Sequence, residues 1–189
     1  MQGRTLVGLA AAFCAIAGIA RAGDLPRKDV DKAGRAAWRA VLHWSDDCEE
    51  GFDYGDATGG IDVMEIAPHQ SIVQVVCTLG AYQGYQHYFL FDETTTPPVA
   101  KLLSLRIYGE DEHEKAGFST TDEIWGRPEL DSAKHELVLT NVFRGIGDCG
   151  VRSRYRFANG TAELVEVRAH LRCDGKPSEP ARWAVVKLP

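Results

Sequence analysis

Recognisable catalytic and metal-binding motifs are missing from this sequence of 189 residues. It has no CxxC, HxH or HExxH pair, which are the spacings of common zinc sites. It also lacks the GxSxG and SxxK motifs that supply serine nucleophiles. The sequence therefore predicts no catalytic residue, no cofactor and no metal ligand. An enzymatic or metal site would have to be assembled entirely by the fold.

An excess of basic residues is also absent. The chain has 21 Lys and Arg against 27 Asp and Glu, which gives a formal net charge of −6. A surface of this sign repels a phosphate backbone. Nucleic acid is therefore not an expected partner.

Long apolar runs are absent beyond the first 22 residues. Those residues join the basic Arg4 to an apolar run over 6–20 and a small-residue site at 20–22, which is the order of a secretory signal peptide. We expect cleavage after Ala22, which lowers the net charge to −8 because no acidic residue is lost. A permanent membrane helix is the alternative, but the run is shorter than the roughly twenty residues that a bilayer span needs. Lipidation at Cys14 is disfavoured by the bulky Phe13 before it. The expected product is a single periplasmic or extracellular domain over 23–189 without a membrane span.

The cysteine count is even once the signal peptide is removed. The remaining cysteines are Cys48, Cys77, Cys149 and Cys173. An even set in an exported chain predicts two disulfides. Three pairings are possible, and we favour Cys48 with Cys77 and Cys149 with Cys173 because each pair closes a short loop. A zinc site is the alternative, which the lack of clustered Cys and His disfavours.

One helix is predicted, followed by a sheet, so the fold class is α+β, mainly antiparallel β. Residues 27–42 place apolar side chains on one face at helical spacing, whereas 45–60 is an acidic, glycine-rich segment expected to form a loop. From Ile61 onward, short β-branched and aromatic runs are separated by turn signals, and the stretch after Gly109 is interpreted as an acidic loop. The predicted strands are 61–67, 71–78, 86–92, 100–108, 136–143, 151–157, 162–171 and 183–188.

A β-hairpin is predicted at Asn159-Gly160, because both residues tolerate positive φ. A strict two-residue turn would mix apolar and polar faces. We therefore expect a type I turn with a bulged glycine, which sets Val151 opposite Val167. The arginines at 152, 154 and 156 then lie on a solvated face, and an anion-binding site is the alternative.

Two kinds of segment resemble ligand sites. Residues 145–150 match GxGxxG, but an alternating, strand-like segment follows where a dinucleotide site needs a helix, so we expect glycines that shape a turn. An acidic cluster could bind calcium, although it lacks the EF-hand spacing; its members are Asp46, Asp47, Glu49, Glu50, Asp53 and Asp56. A second acidic run at 110–114 is expected to be a solvated loop. A carboxylate beside His87 or His170 is the remaining catalytic possibility.

The expected functional surface comprises the 80–87 loop and the 144–150 connection. Tyr82, Tyr85, Tyr88 and Trp125 lie in or beside turns, where exposed aromatic residues often contact partners, although most are expected in the core. The candidate binding residues are Tyr82, Tyr85, His87, Arg144 and Asp148.

Segments of this chain resemble a family of exported bacterial proteins known only as a domain of unknown function, the family numbered eleven seventy-six. The resemblance is carried by CTLGAYQ at 77–83, YFLFD at 88–92, RGIGDCG at 144–150, CDG at 173–175 and Trp183. It covers the C-terminal two thirds of the chain, which is shorter than usual and has Gln83 where Asn is usual. The resemblance implies an envelope location and structural cysteines, and no activity.

These observations favour a non-enzymatic envelope protein that binds a partner protein or envelope ligand. A periplasmic hydrolase with a fold-assembled His and carboxylate is the first alternative. A metal-binding protein that uses the acidic loops is the second.

Overall fold

The computed structural model describes residues 26–50, 52 and 59–189 of the chain. The predicted signal peptide therefore lies outside the described residues. Three helices are described: α1 Arg27–Ala33, α2 Arg35–Leu42 and α3 Asp46–Glu50. Eleven strands are described: β1 Ile61–Ala67, β2 Gln70–Leu79, β3 Gly84–Asp92, β4 Val99–Leu102, β5 Leu105–Glu110, β6 Ala116–Thr121, β7 Ile124–Asp131, β8 Glu136–Val142, β9 Gly150–Ala158, β10 Thr161–His170 and β11 Ala184–Val185. The mainly antiparallel α+β class is confirmed.

The strands form one long sheet and one separate hairpin. The sheet order is β1-β2-β3-β7-β8-β9-β10-β11, and β4 pairs with β3 beside β7. Strand β7 joins two halves, because residues 124–126 pair with β3 whereas 127–131 pair with β8. The separate hairpin consists of β5 and β6.

Two apolar cores lie on opposite faces of the β1–β3 sheet. The helices cover one face, where Trp38 of α2 packs edge-on against Phe91 at a ring distance of 5.3 Å. The other face packs against β8 and β9, and this core includes Ile72, Leu137 and Tyr155. Strands β2 and β3 are therefore buried on both faces, as their apolar runs at 72–77 and 88–91 indicate.

The prediction of one N-terminal helix is wrong in number. Gly34 has φ of +80°, which is outside the helical range and divides the predicted helix into α1 and α2. Helix α3 lies in the segment predicted to be a loop. A helix of five residues is too short to show apolar periodicity in the sequence. Its Cys48 is fully buried. No described helix has the length and apolarity needed to cross a membrane.

The predicted strand over 100–108 is two strands, and the predicted loop after Gly109 contains the β5–β6 turn, β6 and β7. The chain leaves the edge of β3 at Leu103, which is buried between β4 and β5. Strand β6 has no buried residue, so it lacks the apolar alternation that predicts strands. Strand β7 contains Gly126 and Pro128, which are depleted in strands, and Gly126 has φ of +145° where the pairing changes from β3 to β8.

The predicted hairpin is present, but its bulge lies elsewhere. Asn159 and Gly160 have φ of +52° and +69° and form a two-residue turn. The extra residue is Val165, five residues later, so Val167 pairs with Ser153 and not with Val151 as predicted. The expected bulged glycine is therefore wrong. Without a bulge, the strict turn would place apolar residues of β10 on both faces of the sheet. The extra residue shifts the rest of β10 by one position, so that Val167 is buried beside Ser153 on the apolar face.

Both disulfides have the favoured pairing. Cys48 of α3 bonds Cys77 of β2, and Cys149 bonds Cys173. The first attaches α3 to the sheet inside the helix-covered core. The second attaches the segment after β10 to the turn before β9.

Candidate binding surface at the β2–β3 and β8–β9 connections

The two loops predicted to be functional lie against each other at one end of the sheet. The Tyr82 hydroxyl donates a hydrogen bond to the Phe143 carbonyl at 3.4 Å. A Cβ atom on Gly145 would lie 3.4 Å from the Tyr82 ring, so the glycine backbone packs directly on that ring. The tertiary structure thus joins segments that are about sixty residues apart in the sequence.

Gln83 connects the first loop to the end of β8. Its amide nitrogen donates to the Asn141 side-chain oxygen at 3.0 Å, and its amide oxygen accepts from the Val142 backbone nitrogen at 3.0 Å. Both polar groups of the side chain are therefore used. The position where the family resemblance departs from the usual Asn is thus a structural contact between the loops.

Asp148 is a buried carboxylate that organises the second loop. It accepts two hydrogen bonds from Arg144 and one, at 2.8 Å, from the backbone nitrogen of Gly175. The Arg144 guanidinium, and then the Gly175 amide, hold the pKa of Asp148 below its usual value. Cys149 and Cys173 join the same two segments as Asp148 and Gly175, so a disulfide and a hydrogen bond to a buried carboxylate hold the loop together.

We expect Asp148→Asn to lower the melting temperature at pH 7, because Asn loses the charged contact with Arg144. A carboxylate with a lowered folded pKa stabilises the protein above its unfolded pKa of about 4, and this contribution is lost as the pH falls through the folded value. The difference between wild type and variant should therefore shrink from pH 7 to pH 3 in thermal unfolding followed by circular dichroism. Asp62→Asn, at an exposed position, is the control. A difference that does not depend on pH would contradict this role.

Two glycines of the GxGxxG motif adopt backbone conformations that other residues rarely adopt. Gly147 and Gly150 have φ of +71° and +152°, and Gly150 begins strand β9. A dinucleotide site needs a helix at that point. The motif therefore forms a strand connection, as its sequence context indicates.

Four large apolar side chains project from these connections into solvent. Their exposed fractions are 52% for Leu79, 42% for Tyr82, 38% for Phe143 and 54% for Ile146. We call these four side chains the loop surface. Large apolar groups that remain exposed together are typical of sites that bind partners.

Tyr85 and His87 lie on β3 and are more buried than the loop surface, and Tyr85 stacks on the exposed Trp125. The Tyr85 hydroxyl and the His87 Nε2 atom are 2.9 Å apart, and His87 Nδ1 lies 2.9 Å from the Asp122 carbonyl oxygen. A carbonyl only accepts, so Nδ1 carries the proton and Nε2 accepts from Tyr85. Burial, and then the nearby Glu123, raise the pKa of Tyr85. His87 is therefore an internal hydrogen-bonded residue, whereas Tyr82 and Arg144 are accessible.

The predicted histidine–carboxylate site does not form around His87, because both of its ring nitrogens have other partners. Among the described residues, the structure shows such a contact between His113 and Glu112, both highly exposed. His170 ends strand β10 and pairs with Gly150. The geometry therefore gives the hydrolase hypothesis no support in the described part of the chain.

Two of the four described acidic residues in the cluster considered for calcium, Asp46 and Glu49, form ion pairs. Glu49 accepts from Arg35 and Trp44, and Asp46 accepts from Arg39. Asp53 and Asp56 lie outside the described residues. The second acidic run forms the β5–β6 turn, where Asp111 accepts backbone hydrogen bonds, as expected of a solvated loop.

Cys48 and Cys77 lie near His87, and Asp148 lies near the other disulfide, in groups small enough to hold a metal ion. The cysteines in both groups are oxidised. A disulfide offers no thiolate ligand. Neither group is therefore a metal site in this state.

The arginines on β9 are paired. Arg154 and Arg156 contact Glu136, and Arg152, Arg154 and Arg168 contact Glu166. Arg156, and then Arg154, lower the pKa of Glu136. The stripe is an ion-pair network on the outer face of the sheet, which agrees with the solvated-face interpretation.

A small cavity between the β5–β6 hairpin and strands β7–β9 is a feature that sequence reasoning missed. Its volume is about 90 Å³, and its lining includes Tyr108, Glu123, Trp125, Asn141 and Ser153. These residues come from four strands and the connection between β6 and β7, without shared spacing. Of these five, Trp125 is the aromatic residue that the sequence places beside a turn.

The fold and the site define a disulfide-bonded antiparallel β protein with an exposed apolar surface at one end. The chain belongs to the family described as "Protein of unknown function (DUF1176)", whose model matches residues 12–188. This match confirms the family resemblance and extends beyond the C-terminal two thirds.

The chain is also similar to the "Uncharacterized protein YpfG" of Escherichia coli (strain K12). The two are 24% identical over 129 residues, which cover 65% of this chain and 35% of that protein. The chain thus spans well under half of the length of this curated relative. No solved structure is significantly similar to the chain.

Proposed function

We propose that this protein is a non-enzymatic protein of the bacterial envelope that binds a partner protein through the loop surface. Two features support export: the signal-peptide pattern of residues 1–22, and two disulfides, which persist in oxidising compartments. Export and the partner are parts of this proposal.

The observation that carries the proposal is the exposure of Leu79, Tyr82, Phe143 and Ile146 on adjoining connections. Exposing such side chains to water is unfavourable, and burying each against a partner contributes about 25 cal/mol per Å² of apolar area. Interfaces are enriched in aromatic residues at their centre, which suits Tyr82 and Phe143.

The loop surface is also rigidly held, which lowers the entropy cost of binding. Gln83 joins the loops by two hydrogen bonds, and Asp148 joins the second loop to Gly175. The disulfide between Cys149 and Cys173 adds a covalent link. The apolar side chains are therefore presented on a preorganised base.

The charge of the region favours a protein over an anionic membrane. Arg144 is the basic residue within the 79–84 and 143–148 connections, and Asp148 neutralises it. The whole chain carries a net charge of −6. Binding to anionic lipids depends on clusters of free Lys and Arg, so an uncharged apolar surface on a partner protein fits better.

The test is capture of a partner from an envelope extract of the source bacterium with a tagged form of the protein. We expect Leu79→Ser combined with Ile146→Ser to reduce capture of the major partner about tenfold or more, because central apolar contacts contribute about 1 to 2 kcal/mol each. Val185→Ser is the matched control, because Val185 is 65% exposed and lies on β11. It should capture the partner as wild type does.

Equal capture by all three forms would refute the proposal, because the partner would then bind elsewhere. Loss of a dimer in the double variant, measured by light scattering, would assign the surface to a second copy of this chain. Binding of wild type to anionic vesicles that the double variant loses would assign it to a membrane. Either of those two results would also overturn the partner proposal.

A further inference from the structure

Strand β6 has a free edge. Within the described part of the chain, β6 pairs with β5 and with no other strand. The backbone of 116–121 makes no other backbone hydrogen bond to those described residues. Four of the six residues of β6 are exposed and none is buried. Since β5 takes the hydrogen-bonding groups on one side of β6, the groups on the other side face water.

The free edge of β6 lacks the features that usually protect an edge strand. Such features are charged side chains, proline, β-bulges and a short length. The β6 segment AGFSTT has no charge and no proline, and its register with β5 is unbroken. By contrast, the edge strand β1 carries Asp62 and has a register shift after Glu65, and β11 has two residues. Strand β6 is therefore suited to pairing with a further strand.

The aromatic side chain of β6 favours a second copy of the same strand as its partner. Phe118 lies opposite Tyr108, with the ring centroids 5.0 Å apart. The Arg106 guanidinium carbon lies 4.9 Å from the centre of the Phe118 ring. Both contacts come from β5, and Phe118 is still only half-buried. The ring can therefore gain a second aromatic neighbour across the free edge, and such cross-strand pairs stabilise sheets.

An antiparallel pair of β6 strands with a twofold axis at Phe118 keeps equivalent faces together. In this register Phe118 lies opposite Phe118 of the partner subunit, and Thr120 lies opposite the partner subunit's Ala116. The rings of Tyr108 and Phe118 from both copies then form one aromatic row across four strands. A register shifted by one residue would place Phe118 opposite Ser119 of the partner subunit and bring opposite faces together.

The distribution of charge and bulk also fits an antiparallel pair. The β5–β6 turn is acidic, and antiparallel pairing places the two turns at opposite ends of the junction, about 20 Å apart, whereas parallel pairing would place them side by side. Leu105 of β5 is fully buried, whereas residues on both faces of β6 are exposed. The body of each copy therefore lies beneath β5 and does not extend beneath the junction.

From these observations we infer that the protein forms a weak twofold dimer in which the β6 strands of two copies pair antiparallel. The two hairpins then form one four-stranded sheet. The junction pairs about five residues of each copy, far fewer than the roughly 20 to 30 of a standard interface, so we expect a dissociation constant of about 0.1 to 1 mM. The inference is independent of the partner proposed for the loop surface, which shares no residue with β6.

The first test uses the wild-type protein without residues 1–22, at about 10 μM to 1 mM and in about 0.15 M salt, which screens the net negative charge of the two copies. We expect sedimentation velocity to show a reversible monomer–dimer equilibrium. Hydrogen exchange in 116–121 should slow as the concentration rises, whereas exchange in 99–102 on the edge strand β4 should not change. A monomer at every concentration, or a dimer without slower exchange in 116–121, would overturn the inference.

Phe118→Lys and Phe118→Glu test the register. Each variant places like charges opposite each other in its own dimer, so each alone should dimerise about tenfold more weakly than wild type. When the two are mixed, a lysine lies opposite a glutamate, and the heterodimer should be at least about threefold tighter than either homodimer. Val99→Lys is the matched control, because Val99 is 52% exposed on β4. It should dimerise as wild type does.

A second pair of variants uses two exposed positions, so that loss of folding cannot explain the result. Thr120→Lys and Ala116→Glu lie opposite each other in the proposed register. Their mixture should also dimerise at least about threefold more tightly than either variant alone. Failure of both mixtures to associate more tightly than their components would overturn the inference, and so would unchanged dimerisation of both Phe118 variants.

The loop surface is separated from β6 by the double variant Leu79→Ser with Ile146→Ser, which should still dimerise. Loss of the dimer in that variant would assign dimerisation to the loop surface and overturn this inference. Slower exchange in 116–121 that appears only after addition of an envelope extract would assign the edge to another protein, which would overturn the inference as well.

Discussion

Replacing Gly150 with Ala is expected to destabilise the protein by about 3 kcal/mol or more. The Cβ atom would lie 2.2 Å from the Asn141 carbonyl oxygen and 2.9 Å from both the Trp183 ring and the Val142 Cα atom. Two of these contacts are backbone atoms of β8, so no rotamer change relieves them. Overpacking costs about 1 to 3 kcal/mol, and a φ of +152° adds strain of about 1 to 3 kcal/mol for a residue other than glycine. Urea unfolding followed by tryptophan fluorescence measures the loss.

Two other glycines separate the causes of this effect. Gly147 has φ of +71° and open space around it, so Gly147→Ala should cost about 1 kcal/mol from backbone strain alone. Gly109 has neither strain nor a close neighbour, so Gly109→Ala should be nearly neutral. A loss at Gly150 no larger than that at Gly147 would show that β8 moves to admit the methyl group.

Removal of the Cys48–Cys77 disulfide should have the second large effect. Replacing both cysteines with Ala frees a loop closed over a sequence separation of 29 residues, which costs about 3 to 4 kcal/mol in the chain-entropy model. Both residues are fully buried in the helix-covered core, so packing is lost as well. We expect hydrogen exchange to rise most strongly in α3, because this bond attaches that short helix to β2.

The Cys149–Cys173 double Ala variant is the matched comparison. Its sequence separation of 24 residues predicts a similar entropic cost, but Cys173 is exposed and Asp148 still holds Gly175. The loss in urea unfolding should therefore be smaller than for the first disulfide. A larger loss would show that the segment after β10 contributes more to stability than the α3 attachment. Thiol labelling of the unfolded, non-reduced protein lacking residues 1–22 should give no adduct.

The two interacting loops illustrate which features of a site can be predicted from residue patterns and which cannot. CTLGAYQ and RGIGDCG identify the connections because turn glycines and a cysteine stand out locally. The contacts of Gln83 with Asn141 and of Asp148 with Gly175 have no local signal, since each joins residues from distant strands. The exposure of Leu79 and Ile146 is equally invisible, because both appear in sequence as ordinary apolar residues of a strand end and a turn.

Local patterns in the sequence indicated the mainly antiparallel sheet, carried the family resemblance and favoured the cysteine pairing that the structure shows. Apolar alternation and short loop closures depend on residues that are close in sequence, and both are present in the folded structure. Only the tertiary structure decided the β5–β6 hairpin, the turn of β7 from one half of the sheet to the other, the loop surface and the cavity beside Trp125. Those features depend on which faces the packed sheets leave exposed and on backbone contacts between distant strands. Neither produces a periodic pattern in the amino-acid sequence.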